Sequence, residues 1–299
     1  MSDQGKKYQK VAYYPGCALE GTGHAYNRST KAVGKALGLE LEEVKNWNCC
    51  GATMYMSAKK IVGYSISARN LALAQEMGLD VCAPCSSCYT ILRKTNQHIA
   101  WNPKERDKIN TALGAAGMSY TKTVNVRHPL DILVNDVGLE AIRKKVVRPL
   151  KGLKVAPYYG CQIVRPNGYF DDVDDPQTMD QLIRALGAEP VNYPPKVRCC
   201  GGMLMTTDEQ IAVKLCYDLL LAAAENGGEI IATACPLCHV NLEGYQGKIN
   251  DRYGSRFDIP VVYFSHLVGI ALGLTPEELG LDRLLIDPVR LTQAREVAV

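Results

Sequence analysis

The apolar and polar residues of the chain follow two alternating patterns, and the order of these patterns predicts the fold. Short apolar runs bounded by Gly or Pro are typical of buried strands, whereas apolar residues three and four positions apart are typical of helices. We predict strands at 10–14, 39–44, 79–83 and 123–126, and again at 154–159, 188–193, 229–234 and 259–264. We predict helices at 25–37, 58–77, 130–137, 181–186, 207–226 and 276–279, with others that begin at residues 85 and 235 and one that ends at Gly273.

Strands that alternate with helices predict an α/β fold, in which parallel sheets carry helices on both faces. The order of elements repeats with a period of about 150 residues, which indicates an internal duplication. We therefore predict two similar tandem domains, 1–150 and 151–299, related by an approximate two-fold axis. Residues 1–8 are predicted to form a frayed tail, and the polar insert at 165–177 a surface loop.

Ten of the twelve cysteines follow the duplication. The spacing is C-x31-CC-x34-C-x2-C in the first half and C-x37-CC-x34-C-x2-C in the second. Each group of cysteines follows one of the first three strands of its half, so all ten are predicted at the carboxyl edges of the sheets, where ligands bind in open α/β folds. The first set is Cys17, Cys49, Cys50, Cys85 and Cys88, and the second set is Cys161, Cys199, Cys200, Cys235 and Cys238.

The chemistry of these thiols favours a metal centre over a disulfide framework, because disulfide-rich scaffolds are short secreted chains. Each C-x-x-C pair opens a helix, where free N–H groups and the helix dipole favour thiolates. Structural zinc takes four ligands, whereas each set offers five, two of them adjacent, which suits neighbouring irons better. We therefore predict one iron–sulfur cluster per set, and a zinc-stabilised scaffold remains the alternative.

Two cysteines and two histidines lie outside this pattern. Cys82 aligns with Ala232 and Cys216 with an apolar helix position, so both are interpreted as buried small residues. Cys82 precedes Cys85 by three residues, so its membership of the first site stays open. His128 and His266 each follow the fourth strand of their half and are predicted to be equivalent. Each either fixes the start of a helix or bonds a carbonyl, or else bonds a cluster sulfur or the substrate.

Composition and charge exclude several function classes. The net charge of +3 is too small to indicate a nucleic-acid-binding surface. No apolar run is long enough to span a bilayer, and the polar start of the chain lacks the apolar core of a secretion signal, so we expect a cytoplasmic protein. No G-x-G-x-x-G motif follows the first strand, so electrons are expected to arrive from a partner protein.

The motif Asn48-Cys49-Cys50-Gly51 and its counterpart Arg198-Cys199-Cys200-Gly201, with their flanking cysteines, resemble the CCG-domain proteins, and among them the B subunits of heterodisulfide reductases. The resemblance covers nearly the whole chain and fills all ten cysteine positions, although the x34 gap is slightly short for the family. It implies that each set holds a non-cubane [4Fe-4S] cluster with one cysteine bridging irons. It also implies that a disulfide substrate lies between the two clusters.

The resemblance further implies two partners in the same complex: a small ferredoxin-like iron–sulfur protein, the C subunit, and a flavin-containing protein, the A subunit. The leading hypothesis is therefore the catalytic subunit of a heterodisulfide-reductase-type complex, which reduces or forms a disulfide. CCG proteins also occur in succinate, lactate and glycolate dehydrogenase-type complexes. The alternative is accordingly an electron-transfer or anchor subunit that relays electrons, with quinone as one acceptor. The sequence leaves the identity of the thiol substrate and the direction of the reaction open.

Overall fold

The computed structural model describes residues 10–52, 54–165 and 168–293 of the chain. The tail predicted at 1–8 lies outside these residues. So do positions 166 and 167 of the predicted surface loop, whose remaining residues form no helix or strand.

The first half consists of one sheet and the helices that connect its strands. Helices α2 and α4 end before Gly38 and Gly78, as the sequence predicts. The elements are β1 (Lys10–Tyr13), α1 (Gly16–Glu20), α2 (His24–Leu37), β2 (Glu40–Glu43), α3 (Met54–Ala58), α4 (Lys60–Met77), β3 (Val81–Cys82), α5 (Ser86–Trp101), α6 (Pro103–Gly114), β4 (Val126–Arg127), α7 (Pro129–Asp131), a π-helical segment (Ile132–Gly138) and α8 (Leu139–Lys145).

The second half repeats this order. Asp208 caps the long helix α11 by accepting a hydrogen bond from the Ile211 N–H. The elements are β5 (Lys154–Tyr158), α9 (Thr178–Ala185), β6 (Glu189–Pro190), α10 (Leu204–Thr207), α11 (Glu209–Glu225), β7 (Ile230–Thr233), α12 (Pro236–Gly244), α13 (Gln246–Tyr253), β8 (Val261–Tyr263), α14 (Phe264–Ala271), α15 (Pro276–Leu279), a 3₁₀ turn (Leu281–Arg283) and α16 (Val289–Thr292).

The two sheets have the same topology, which confirms the predicted duplicated α/β fold. Each has four parallel strands, in the orders β2-β1-β3-β4 and β6-β5-β7-β8. Cys82 pairs with Tyr13 in the first sheet, and Ala232 pairs with Pro157 in the second. Both pairs lie four residues before the first cysteine of their set, so the predicted equivalence of Cys82 and Ala232 is confirmed.

The structure differs from the prediction between residues 101 and 122, where we expected irregular chain. This segment contains the helix α6, which begins at Pro103. Proline is well tolerated at the first position of a helix because the N–H that it lacks would have no partner there. Pro103 therefore starts this helix rather than preventing one.

The two halves share one hydrophobic core. Helix α14 of the second half packs on α2 of the first. There the rings of Tyr26 and Tyr263 stack with centroids 4.1 Å apart, and the hydroxyls of Ser29 and Ser265 lie 2.7 Å apart. The larger of the two core clusters contains residues of both halves. The division of the chain into domains at residue 150 stays a prediction.

Candidate functional site

The ten repeated cysteines lie beyond the carboxyl ends of the strands, at the edge that the sequence predicts. Cys17 lies in α1, just after β1, and Cys161 follows β5. The two adjacent pairs lie in the turns after β2 and β6. Cys85 and Cys235 are the cap residues of α5 and α12, so both C-x-x-C pairs open helices.

The five thiols of the first set lie close together. Cys50 makes thiol contacts with Cys49 and Cys88, and Cys88 also contacts Cys85. Cys17 lies close enough to Cys49 for its charge to raise the pKa of that thiol. Cys17 and Cys49 are exposed, whereas the other three are buried. The set therefore has a buried floor and an open side.

The second set has the same arrangement. The Cys199 thiol contacts Cys161 and Cys200, and the sulfurs of Cys200 and Cys238 lie 3.5 Å apart. Cys238 also contacts Cys235. Cys199 is exposed and Cys161 half-buried, whereas the remaining three are buried.

One contact joins the two sets. The thiols of Cys85 and Cys235, both at helix starts, hydrogen-bond to each other across the boundary between the halves. The Ser86 hydroxyl strengthens this link because it donates to the Ala234 carbonyl at 3.0 Å. The two sets of thiols therefore meet at the first turns of α5 and α12.

Three thiols are held in the anionic form by their neighbours. Hydrogen bonds from Cys49 and Cys88 lower the pKa of Cys50 to about 4. Hydrogen bonds from Cys161 and Cys200 lower the pKa of Cys199 to about 2. Hydrogen bonds from neighbouring thiols, Cys238 first, also hold the pKa of Cys235 well below its ordinary value. Each set thus presents thiolate ligands to a positively charged metal centre.

A glycine precedes the first cysteine of each set for a steric reason. Gly16 and Gly160 both have a φ of 68°, in the left-handed region that favours glycine. A Cβ at Gly16 would lie 2.9 Å from Cys88 Sγ, and one at Gly160 would lie 3.1 Å from Cys238 Sγ. The backbone therefore approaches the last thiol of each set too closely for any side chain.

Two tyrosines position the adjacent cysteines, although the sequence suggested only a packing role for them. The Tyr14 hydroxyl donates to the Asn48 carbonyl at 2.7 Å, and the Tyr158 hydroxyl donates to the Arg198 carbonyl at 2.8 Å. Both carbonyls belong to the residue just before a Cys-Cys pair. The only available signal was the repetition of Tyr three residues before the first cysteine of each set.

The two remaining cysteines are buried, as predicted. Cys82 lies in β3, and burial raises its pKa. Cys216 lies in α11, and its thiol donates to the Cys200 carbonyl at 3.2 Å. Cys216 therefore supports the backbone of the second set in addition to filling space.

The two histidines occupy different positions, so their predicted equivalence is wrong. Cys82 pairs with Arg127 and Ala232 with Val262, which makes Tyr263 the counterpart of His128. His128 Nδ1 accepts from the Leu130 N–H, so Nε2 carries the proton and donates to the carbonyls of Pro84 at 2.8 Å and Ala234 at 3.2 Å. His266 Nδ1 accepts from the Tyr263 N–H. Both histidines bond backbone groups.

A cavity of about 380 Å³ lies beside the second set. All five cysteines of that set line it, together with first-half residues that include Met56, Ile91 and Lys94. A separate, more open groove of about 640 Å³ lies beside Cys49 and contains Trp47 and Arg69. The two sets therefore differ in their surroundings: the second faces a cavity enclosed by both halves, whereas the first faces an open groove.

The donor chemistry of both sets fits an iron–sulfur cluster. Soft thiolates at helix starts suit iron and sulfide, and five ligands with an adjacent pair exceed what one tetrahedral ion needs. Within the described residues, no group of His, Cys, Asp or Glu side chains is arranged as a ready site for a single metal ion.

The sequence pattern of the CCG cysteine-rich domain family matches the chain twice, at residues 11–93 and 155–243. These matches contain all ten repeated cysteines and cover more than half of the chain. The chain belongs to this family.

Characterised relatives fall into two groups. The chain is 34% identical to the 8-methylmenaquinol:fumarate reductase membrane anchor subunit of Wolinella succinogenes, over 95% of this chain and 99% of the relative. It is 29% identical to the B subunit of the ferredoxin/F420H2-dependent CoB-CoM heterodisulfide reductase of Methanosarcina acetivorans, over 94% and 95%. It is 30% identical to a protein of Archaeoglobus profundus that is named as similar to the B subunit of heterodisulfide reductase, over 91% and 93%.

A solved structure confirms the fold. A hypothetical protein from Helicobacter pylori superimposes with a TM-score of 0.76 over 93% of this chain, at 14% sequence identity. The chain spans 52% of the length of that protein. The CCG matches and the relatives together identify an iron–sulfur, electron-transfer oxidoreductase family whose members are subunits of larger complexes. In the described part of this chain, no helix has the length and apolar character needed to cross a membrane.

Proposed function

We propose that the chain is the disulfide-handling subunit of a heterodisulfide-reductase-type complex. In the reducing direction, one disulfide R–S–S–R′ takes up two electrons and two protons and yields RSH and R′SH, and the reverse reaction forms the disulfide. The electrons come from a partner protein, because no nucleotide-binding motif follows the first strand.

The observation that carries this proposal is the cavity beside the second set. Its volume of about 380 Å³ falls within the usual range of small-ligand sites, roughly 300–1,000 Å³. Both halves contribute to its walls, so a ligand inside it contacts the junction between the two thiol sets. Sulfur lines one side, and apolar side chains such as Met56 and Leu237 line others. This surface suits a sulfur compound with an apolar chain.

The residues that hold the cofactors in this proposal are the two sets of cysteines. Cys17, Cys49, Cys50, Cys85 and Cys88 hold one non-cubane [4Fe-4S] cluster. Cys161, Cys199, Cys200, Cys235 and Cys238 hold the other. Two such clusters, when bound, supply the two single electrons that cleavage of one disulfide requires. The contact between Cys85 and Cys235 keeps the two sets adjacent.

The proposed partners are a ferredoxin-like iron–sulfur protein, which delivers electrons, and a flavin-containing protein of the same complex. The open groove beside Cys49 supports electron entry at the first set, because it leaves that thiol accessible from outside the protein. Each half of the chain, 1–150 and 151–299, acts as one CCG domain in this arrangement.

A second candidate function is electron relay to or from a quinone. It is favoured by the 34% identity to the fumarate reductase anchor subunit, which exceeds the identity to the heterodisulfide reductase subunits named above. In this case the apolar cavity would take a quinone ring, and no disulfide would form or break.

Electron paramagnetic resonance separates the two candidates. The iron–sulfur-loaded protein is oxidised in the presence of a series of thiols, and separately with a menaquinone analogue. A signal whose position depends on the thiol supports disulfide chemistry. A signal that is indifferent to every thiol but changes with the quinone analogue contradicts it and supports the relay.

A further inference from the structure

One face of helix α5 forms a wall of the cavity beside the second set. Ser87, Thr90, Ile91 and Lys94 all line it. Residues three and four positions apart share one face of a helix, so this wall is a continuous strip. The strip begins beside Cys85, where the two thiol sets meet, and ends at Lys94.

Lys94 gives this wall a positive end. Apart from the thiols, it is the one ionisable side chain among the described residues that line the cavity. Much of the remaining lining is apolar and includes Met56, Met203 and Leu237. The cavity therefore has a sulfur-lined side, apolar walls and one cationic group.

Lys94 is available to a ligand, unlike the neighbouring cations. Arg93 donates to the Tyr89 hydroxyl at 2.9 Å and lies over the Tyr169 ring at 3.5 Å. Arg165 pairs with Asp174 at 2.9 Å. Lys94 is exposed, and no carboxylate of the described chain pairs with it.

The helix also sets a length scale. Lys94 follows Ser87 by seven residues on α5, which corresponds to about 10 Å along the helix axis. A ligand with one end at the sulfur-lined side and the other at Lys94 therefore has a chain of about that length. Methylene groups of such a chain would contact Ile91 and the apolar residues opposite.

We propose that the cavity binds thiols or disulfides that carry an anionic end group about 10 Å from the reacting sulfur. The sulfur lies toward the second set, and the anion lies at Lys94. This inference rests on the proposed disulfide function and adds the charge and length of the substrate. An ammonium group strengthens hydrogen bonds to anions relative to neutral acceptors, so the end group decides the affinity.

The test uses two thiols of equal length, 8-mercaptooctanoate and 8-mercaptooctanol. Binding to the iron–sulfur-loaded protein is measured by titration calorimetry and by the thiol-dependent resonance signal. We expect the carboxylate to bind about tenfold more tightly than the alcohol. Lys94→Gln removes this preference without changing the affinity for the alcohol, and Lys94→Arg retains it. Lys104→Gln, which removes an exposed lysine of α6 outside the cavity, is the matched control and keeps the preference.

The outcomes separate this inference from the function on which it rests. Equal binding of both thiols, or a preference that survives in Lys94→Gln, overturns the recognition of an anion and leaves the disulfide function standing. Failure of both thiols to bind, together with a response to the menaquinone analogue, overturns both.

Discussion

The thiols of Cys85 and Cys235 hydrogen-bond to each other, although 150 positions separate them in the sequence. Each caps a helix at the carboxyl end of a strand, β3 in one sheet and β7 in the other. The duplication therefore places the two five-thiol sets against each other, and His128 bonds the carbonyls just before both cysteines. This junction is the basis of the predictions below.

Removing one repeated cysteine should remove one metal centre. We expect Cys50→Ser or Cys199→Ser to lose about half of the bound iron and all disulfide-dependent activity, because each thiolate contacts two others of its set. Cys216→Ala is the control, since Cys216 only bonds the Cys200 carbonyl, and it should keep the iron at a cost of about 1–2 kcal/mol in unfolding free energy. Iron analysis and chemical denaturation measure both. Full iron content in either serine variant would contradict the assignment.

The glycine before Cys161 should be needed for the second set. In Gly160→Ala the new Cβ lies 3.1 Å from Cys238 Sγ, so we expect that thiol to shift and the iron of one set to be lost. Gly152→Ala is a matched control, because Gly152 also has a positive φ of 75° but has open space around its Cβ. The control should lose only about 1–2 kcal/mol of stability. Iron analysis of the two variants decides, and equal iron content would refute the steric argument.

His128 should stabilise the junction between the halves. In His128→Phe the Pro84 carbonyl loses its bond from Nε2, whereas the Ala234 carbonyl keeps its bond from Ser86. One buried unsatisfied carbonyl costs about 1–3 kcal/mol, and we expect this decrease in the unfolding free energy. Ser86→Ala, which leaves His128 bonded to both carbonyls, should cost less. Denaturant titration compares the two variants, and a neutral effect of His128→Phe would contradict this role.

The buried Glu243 should make stability fall as pH rises. Burial raises its pKa from an ordinary value of 4.5 to about 7, despite hydrogen bonds from the N–H groups of Leu285 and Ile286. Because the folded-state pKa exceeds the unfolded one, its contribution is complete below about pH 4.5 and is lost as pH rises through about 7. Glu243→Gln cannot ionise.

We therefore expect Glu243→Gln to gain about 2 kcal/mol of stability relative to the wild type between pH 5 and pH 8. Unfolding free energies of both proteins at the two pH values measure the difference. A constant difference between the proteins would show that Glu243 stays in one protonation state throughout.

Local pattern was sufficient to predict most elements and the edge on which the cysteines lie. Cysteine spacing and strand order repeat together, and parallel strands bring residues after each strand to one edge, so the two sets followed from the sequence. Cys82 was correctly interpreted as a strand residue, because its counterpart is the apolar Ala232. Helix α6 was missed because its residues are mostly polar and only Ile109 and Leu113 are buried.

Contacts between distant residues could not be predicted in this way. His128 and His266 both follow a fourth strand, but the strand register places Tyr263 opposite His128, and register depends on pairing rather than on local pattern. The stacking of Tyr26 on Tyr263 and the position of Lys94 in the cavity likewise depend on how the halves pack.

The content of iron and acid-labile sulfide in the purified chain tests the central claim most directly. If each five-thiol set holds a four-iron cluster, the protein should contain about eight iron and about eight sulfide per chain. A protein that carries zinc and no sulfide would contradict the account.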